Sequence, residues 1–112
     1  MIYRKQAKAI VRRLIRKARQ EGKRVDVLCS WELDYLHEHN ANETELVEAV
    51  FGSDETTIRI VEKDWTAANP ERVCGYVAIV LEYGRLPEEI ISDYSANEYT
   101  EALVRHAEQI AA

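Results

Sequence analysis

Ten of the chain's fifteen basic side chains fall in its first 24 residues, on a segment whose apolar positions repeat with a helical period. The bases are Arg4, Lys5, Lys8, Arg12, Arg13, Arg16, Lys17, Arg19, Lys23 and Arg24. Between them, Ile2, Ala7, Ile10, Val11, Leu14, Ile15 and Ala18 recur at three- and four-residue steps. Such a pattern predicts one amphipathic helix of about five turns, buried along a stripe and cationic elsewhere. It spans about residues 3–21, and Gly22 stands where a left-handed cap would end it. The segment has one acid, Glu21, and so carries +9, whereas five bases and nineteen acids give the other 88 residues −14. A net charge of −5 conceals this division.

Helix physics alone did not select these bases. Arg4, Lys5 and Lys8 sit in the first turns, against the macrodipole. Arg4–Lys8, Lys8–Arg12, Arg12–Arg16 and Arg13–Lys17 are like-charge pairs at i,i+4, each costing about 0.2–0.5 kcal/mol. An anionic surface must answer them: the protein's own acidic body, a nucleic acid, or a partner's acidic patch.

The body reads as mostly helical. Thr56–Val61 (TTIRIV) is β-branched and alternating and Val25–Cys29 (VDVLC) is short and β-branched, which predicts two short strands that pair, although Val25, Leu28, Trp31, Tyr35 and Leu36 also fit one face of a helix. Ser30 would cap a short helix Trp31–His39, and Asn42 with Glu45 resembles a capping box opening Glu43–Phe51. Asn69-Pro70 at one end and Gly84 at the other predict a helix whose interior, RVCGYVAIVLEY, is apolar on nearly every side and thus buried all round. Pro87 would start PEEIISDY as another short helix, and Asn97 would cap the last, Glu98–Ala111, with Tyr99, Leu103, His106 and Ile110 on one face. The expected fold is a predominantly helical α+β domain over residues 1–112, with five to six helices, two short strands and an acidic helical body from residue 25.

Cysteine, metal and catalytic signals are thin. Cys29 and Cys74 are too few for a disulfide framework and read as reduced, buried core thiols of a cytoplasmic protein. His37-Glu38-His39 would point its histidines to different sides of a helix. Asp93, Ser95 and Asn97 begin like a calcium loop, but Glu98 then stands in the place of its glycine and Val104 in that of its closing Glu. Gly22, Gly52, Gly75 and Gly84 stand singly, so no loop cradles a phosphate. No cofactor is implied, and no apolar run is long enough to span a membrane.

Function is therefore read from charge and aromatics. One interface candidate combines Glu43, Glu45, Glu48, Asp54, Glu55, Glu88, Glu89 and Asp93 with Trp65, Tyr94 and Tyr99, Tyr and Trp being common interface anchors. The leading expectation is a non-catalytic module that docks a basic-surfaced protein, such as a nucleic-acid-handling complex, through this acidic side. In its acidic, motif-free character the chain resembles phage- and plasmid-encoded inhibitors of nucleases. The alternative is a nucleic-acid binder using Arg4, Lys8, Arg12, Arg13, Arg16, Lys17 and Arg19. An enzyme whose site is not visible in sequence is the third reading.

Overall fold

The computed structural model describes residues 2–29, 35–37, 42–52, 55–66, 68, 72–81 and 90–109. Helix α1 (Ile2–Gln20) leads into strands β1 (Arg24–Cys29) and β2 (Tyr35–His37), followed by helix α2 (Glu43–Val50). Strands β3 (Glu55–Val61), β4 (Val73–Val80) and β5 (Ile91–Tyr94) come next, and α3 (Glu98–Glu108) closes the order. The strands form one antiparallel sheet in the order β2-β1-β3-β4-β5.

Local signals set the element ends. Gly22 has φ +82°, while Gly22 N donates to Arg19 O at 3.0 Å and Lys23 N to Ala18 O at 3.1 Å. This is the paired hydrogen bonding of a Schellman cap, and it turns the chain from α1 into β1. Asn42 forms a full capping box with Glu45 at the head of α2. Asn97 caps α3 by accepting from Thr100 N at 2.8 Å.

The sheet sorts its residues by register. Val25, Ile60 and Gly75 lie in one row, and Val27, Ile58 and Val77 in the next. These rows face the helices, and together with Ile10, Leu14 and Ile15 of α1, Leu46 and Val47 of α2 and Leu103 of α3 they build the core. Odd and even strand positions point to opposite faces. The opposite face therefore carries the row Asp26, Arg59 and Tyr76 and the row Leu28, Thr57 and Ala78.

Three expectations fail here, and the fold is α+β but not predominantly helical. The buried helix expected before Gly84 is instead the inner strand β4, between β3 and β5. A short apolar run suits a buried strand as well as a buried helix. Its β-branched Val73, Val77, Ile79 and Val80 favour the strand, as does Gly75 at a close approach. Tyr35–His37, expected in a helix, pairs with β1, and Ile91–Tyr94, expected in another, pairs with β4. The cap signals of those three helices, Ser30, Asn69-Pro70, Gly84 and Pro87, lie outside the described residues. In α3 the buried face is Thr100, Leu103, Val104 and Ala107, with Tyr99 and His106 half-buried beside it. The expected strands Val25–Cys29 and Thr56–Val61 do pair, in the middle of the sheet.

Candidate functional site

Helix α1 turns most of its charge toward α2 and α3. The capping box starts α2 so that Glu43 lies in its first turn, where a carboxylate also suits the helix dipole. Arg16 meets Glu43 with a fork, Nε to Oε1 and Nη2 to Oε2, both at 2.8 Å. Arg12 Nε lies 3.9 Å from the same carboxylate. One turn along α2, Glu48 takes Lys8 at 3.4 Å, and the Lys8 ammonium sits 5.7 Å from the centre of the Phe51 ring. Arg13 Nε donates to the backbone carbonyl of His106 on α3 at 3.1 Å. Arg19 is also engaged. Lys17 has no acidic partner among the described residues. Arg4 lies on α1 beside Lys5, in its first turn.

The acids of α2 singled out in the sequence thus serve structure first. Glu43 and Glu48 answer α1, and Glu45 Oε1 accepts from Asn42 N at 3.3 Å. The hydrogen bond to Arg16 holds Glu43 below the usual carboxylate range, and the same bond raises Arg16. A carboxylate depressed in the folded state contributes stability above its unfolded pKa of about 4.3, and loses it as pH falls through the folded value. Glu43→Gln should therefore melt below the parent at pH 7, and the gap should close near pH 3. Thermal melts at the two pH values check this; an unchanged gap would mean that shape, not charge, links α1 to α2.

Between α1 and α3 the bases leave a groove of about 410 Å³, lined by Ala9, Arg12, Arg13, Arg16, Lys17, Gln20 and His106. No carboxylate is among the lining residues.

A second surface lies at the β4–β5 end of the sheet. Tyr76 and Tyr94 are 43 % and 41 % exposed; Tyr94 pairs with Val77 and so lies on the helix-facing side of the sheet, while Tyr76, like Asp93, lies on the opposite side. Hydrogen bonds fix the turn that follows: Tyr76 N donates to Ser95 Oγ at 2.9 Å, Ser95 N to Tyr76 O at 3.0 Å, and Asn97 Nδ2 to Cys74 O at 3.1 Å. Asp93 and Glu98 are exposed on either side. Glu55 is exposed at the start of β3, while Asp54, Glu88 and Glu89 lie outside the described residues.

The other aromatics named from sequence are used inside. Tyr99 packs half-buried against the core, with the Lys23 ammonium 5.6 Å from its ring centre. Burial foremost, then Glu21, pushes its phenol above its ordinary range. Trp65, half-buried, stacks on the Arg59 guanidinium at 4.0 Å. Arg59 in turn donates from Nη2 to Asp26 Oδ2 at 2.8 Å.

Cys74 is half-buried rather than fully buried, and its thiol donates to Glu62 Oε1 at 3.3 Å. Lys23 pairs with that carboxylate, and Arg72 lies 3.8 Å from it. Burial first, then the bond to Glu62, pushes the Cys74 thiol up to about 11. It is a thiol at neutral pH, whereas nucleophilic attack requires the thiolate. Cys29 is in β1 and His37 in β2, while Glu38 and His39 lie outside the described residues.

The sequence reading missed Tyr76, the Asp26–Arg59 pair and the part of His106 in the groove. A signal for the pair existed. Asp26 interrupts Val25 and Val27, Arg59 interrupts Ile58 and Ile60, and antiparallel pairing sets two such charges opposite each other. Tyr76 was hidden by the helical reading of β4.

Compared with known proteins, the chain matches no family model, no curated protein and no solved structure. Among the described residues no helix is long and apolar enough to cross a membrane, and no group of three or more His, Cys, Asp or Glu could hold a metal ion.

Proposed function

We propose that this chain is a non-catalytic binding module that docks a basic-surfaced protein through the acidic, tyrosine-bearing end of its sheet. The observation that carries this reading is the exposure of Tyr76 and Tyr94 on adjoining strands at one end of the sheet, one on each face, with Asp93 and Glu98 exposed beside them. Tyrosines combine large contact area with a polar tip and recur as anchors at the centre of interfaces. Acids at the rim steer a cationic partner and speed encounter. Internal pairing of α1 supports the same reading, because Glu43 and Glu48 absorb charge from Lys8, Arg12 and Arg16. A nucleic-acid-handling protein suits this partner chemistry, its basic channel accepting carboxylates in place of phosphates.

The test is capture from a nuclease-treated host lysate with the tagged chain, comparing the parent with a Tyr76→Ala/Tyr94→Ala variant. The parent should retain a partner after nuclease treatment. The double variant should lose about tenfold or more in affinity for that same partner, since an anchor residue contributes above about 1 kcal/mol. Its circular dichroism should match the parent's. A partner released by nuclease, or held equally by both chains, overturns the reading.

A further inference from the structure

We propose that the groove between α1 and α3 binds a small, multiply charged phosphate, either a free polyphosphate or the phosphate chain of a nucleotide. Its volume of about 410 Å³ is that of a small-molecule site. Its chemistry is one-sided: Arg12, Arg13, Arg16 and Lys17, with the polar Gln20 and His106 and a single alanine. The lining has no large apolar side chain and its one ring is the His106 imidazole, against four cations, so recognition rests mainly on charge.

Internal pairing leaves this groove cationic. Four cations line it, and of the ion pairs among the described residues only Glu43 answers any of them. Arg16 uses Nε and Nη2 on Glu43, and Arg13 uses Nε on the His106 carbonyl. A guanidinium has five N–H donors, so both retain others for a ligand. Those same bonds hold the two side chains in place and lower the ordering cost of binding.

The spacing also suits a phosphate chain. Arg12 and Arg16 form one i,i+4 row and Arg13 and Lys17 the next, each rising about 6 Å along the axis. Two parallel rows of cations can flank consecutive phosphates, and guanidinium forks match phosphate oxygens.

A long polyanion is disfavoured by what surrounds the groove. Glu21 lies just beyond the end of α1, and Glu45 and Glu48 are exposed on the adjoining α2. The Debye length is about 8 Å at physiological ionic strength, so a small anion inside the groove feels mainly its lining. A nucleic-acid strand leaving the groove would run into the field of a body that carries −14 outside residues 1–24.

Calorimetric titration of the full chain at low salt with inorganic tripolyphosphate, a nucleoside triphosphate and a 20-base-pair duplex tests the proposal. Tripolyphosphate should bind at one site and raise the melting temperature. Lys17→Gln, and separately Arg13→Gln, should weaken it about tenfold, while Lys5→Gln, an exposed cation of α1 outside the lining, should leave it unchanged. Equal binding of tripolyphosphate and nucleoside triphosphate identifies a site that reads phosphates alone; tighter nucleoside triphosphate identifies a nucleotide as the source. No binding of tripolyphosphate, equal weakening by Lys5→Gln, or no weakening by Lys17→Gln overturns the proposal. So does duplex binding that exceeds both small anions.

Discussion

Asp26→Ala should destabilise the fold by about 3–5 kcal/mol, a large part of the 5–15 kcal/mol available to a small domain. Asp26 is 2 % exposed and Arg59 7 %, and their contact of 2.8 Å is the buried ion pair of the sheet face opposite the helices. Removing the carboxylate takes from a buried guanidinium its ion-pair partner at 2.8 Å, with the Trp65 ring 4.0 Å away. A ring face recovers only part of the lost attraction. Among the described residues Asp26 Oδ1 has no hydrogen-bond partner, so the pair is imperfectly compensated even in the parent. Replacing both residues by leucine should therefore cost much less than the single change, because a buried pair roughly breaks even against apolar packing. Urea unfolding of the parent, Asp26→Ala, Arg59→Leu and the double leucine variant measures this. A loss below about 1 kcal/mol for Asp26→Ala would show that water reaches the pair.

That pair also shows what was legible in the sequence. Elements written in local chemistry were readable: the stripe of α1 and its stop at Gly22, the capping box at Asn42, and the cap at Asn97. So was β3, because one buried face imposes alternation, whereas Val25 and Leu28 of β1 fit a helical face as well as a strand, and only pairing with β3 decides between them. The error lay where tertiary context decides. β4 sits between two strands and is apolar on both sides, so its period-2 signal disappears. β2 and β5, of three and four residues, are too short to state a period, and Pro87 lent β5 a false helical start.

The site was legible only in part for a related reason. Sequence locates the cations of α1 by composition but not what they meet. Arg16 finds Glu43 across 27 positions and Arg13 finds the His106 carbonyl across 93. The like-charge repulsion along α1 was a correct sign that partners had to exist; that α2 would supply them required the packing. Trp65 and Tyr99 looked like surface anchors by composition, yet each covers a charged side chain, Arg59 and Lys23 respectively.

Gly75→Ala should destabilise the chain by about 1–3 kcal/mol, and Gly75→Val by more. A Cβ at Gly75 would stand 2.0 Å from Thr100 Oγ1 and 3.2 Å from Thr100 Cβ. Thr100 is fully buried in the first turn of α3. The helix cannot easily back away, because Asn97, which caps it, also donates to Cys74 O at 3.1 Å. Against the clash runs a gain in chain stiffness. Gly75 is not among the positive-φ glycines, so alanine there would contribute about 0.5–1 kcal/mol once given space. The two terms separate on a Thr100→Ala background. Thr100 Oγ1 makes no hydrogen bond among the described residues, so its removal leaves no polar group of theirs unpaired, and it clears the nearest obstacle. Gly75→Ala should then be neutral or stabilising, while in the parent it lowers the melting temperature. Because Tyr76 follows directly and its backbone bonds to Ser95, the single variant should also lose affinity for the partner proposed to dock at Tyr76, and the double variant should regain it. Gly75→Ala melting with the parent would mean that Thr100 can rotate aside, and that the seating of α3 on β4 does not depend on the missing side chain.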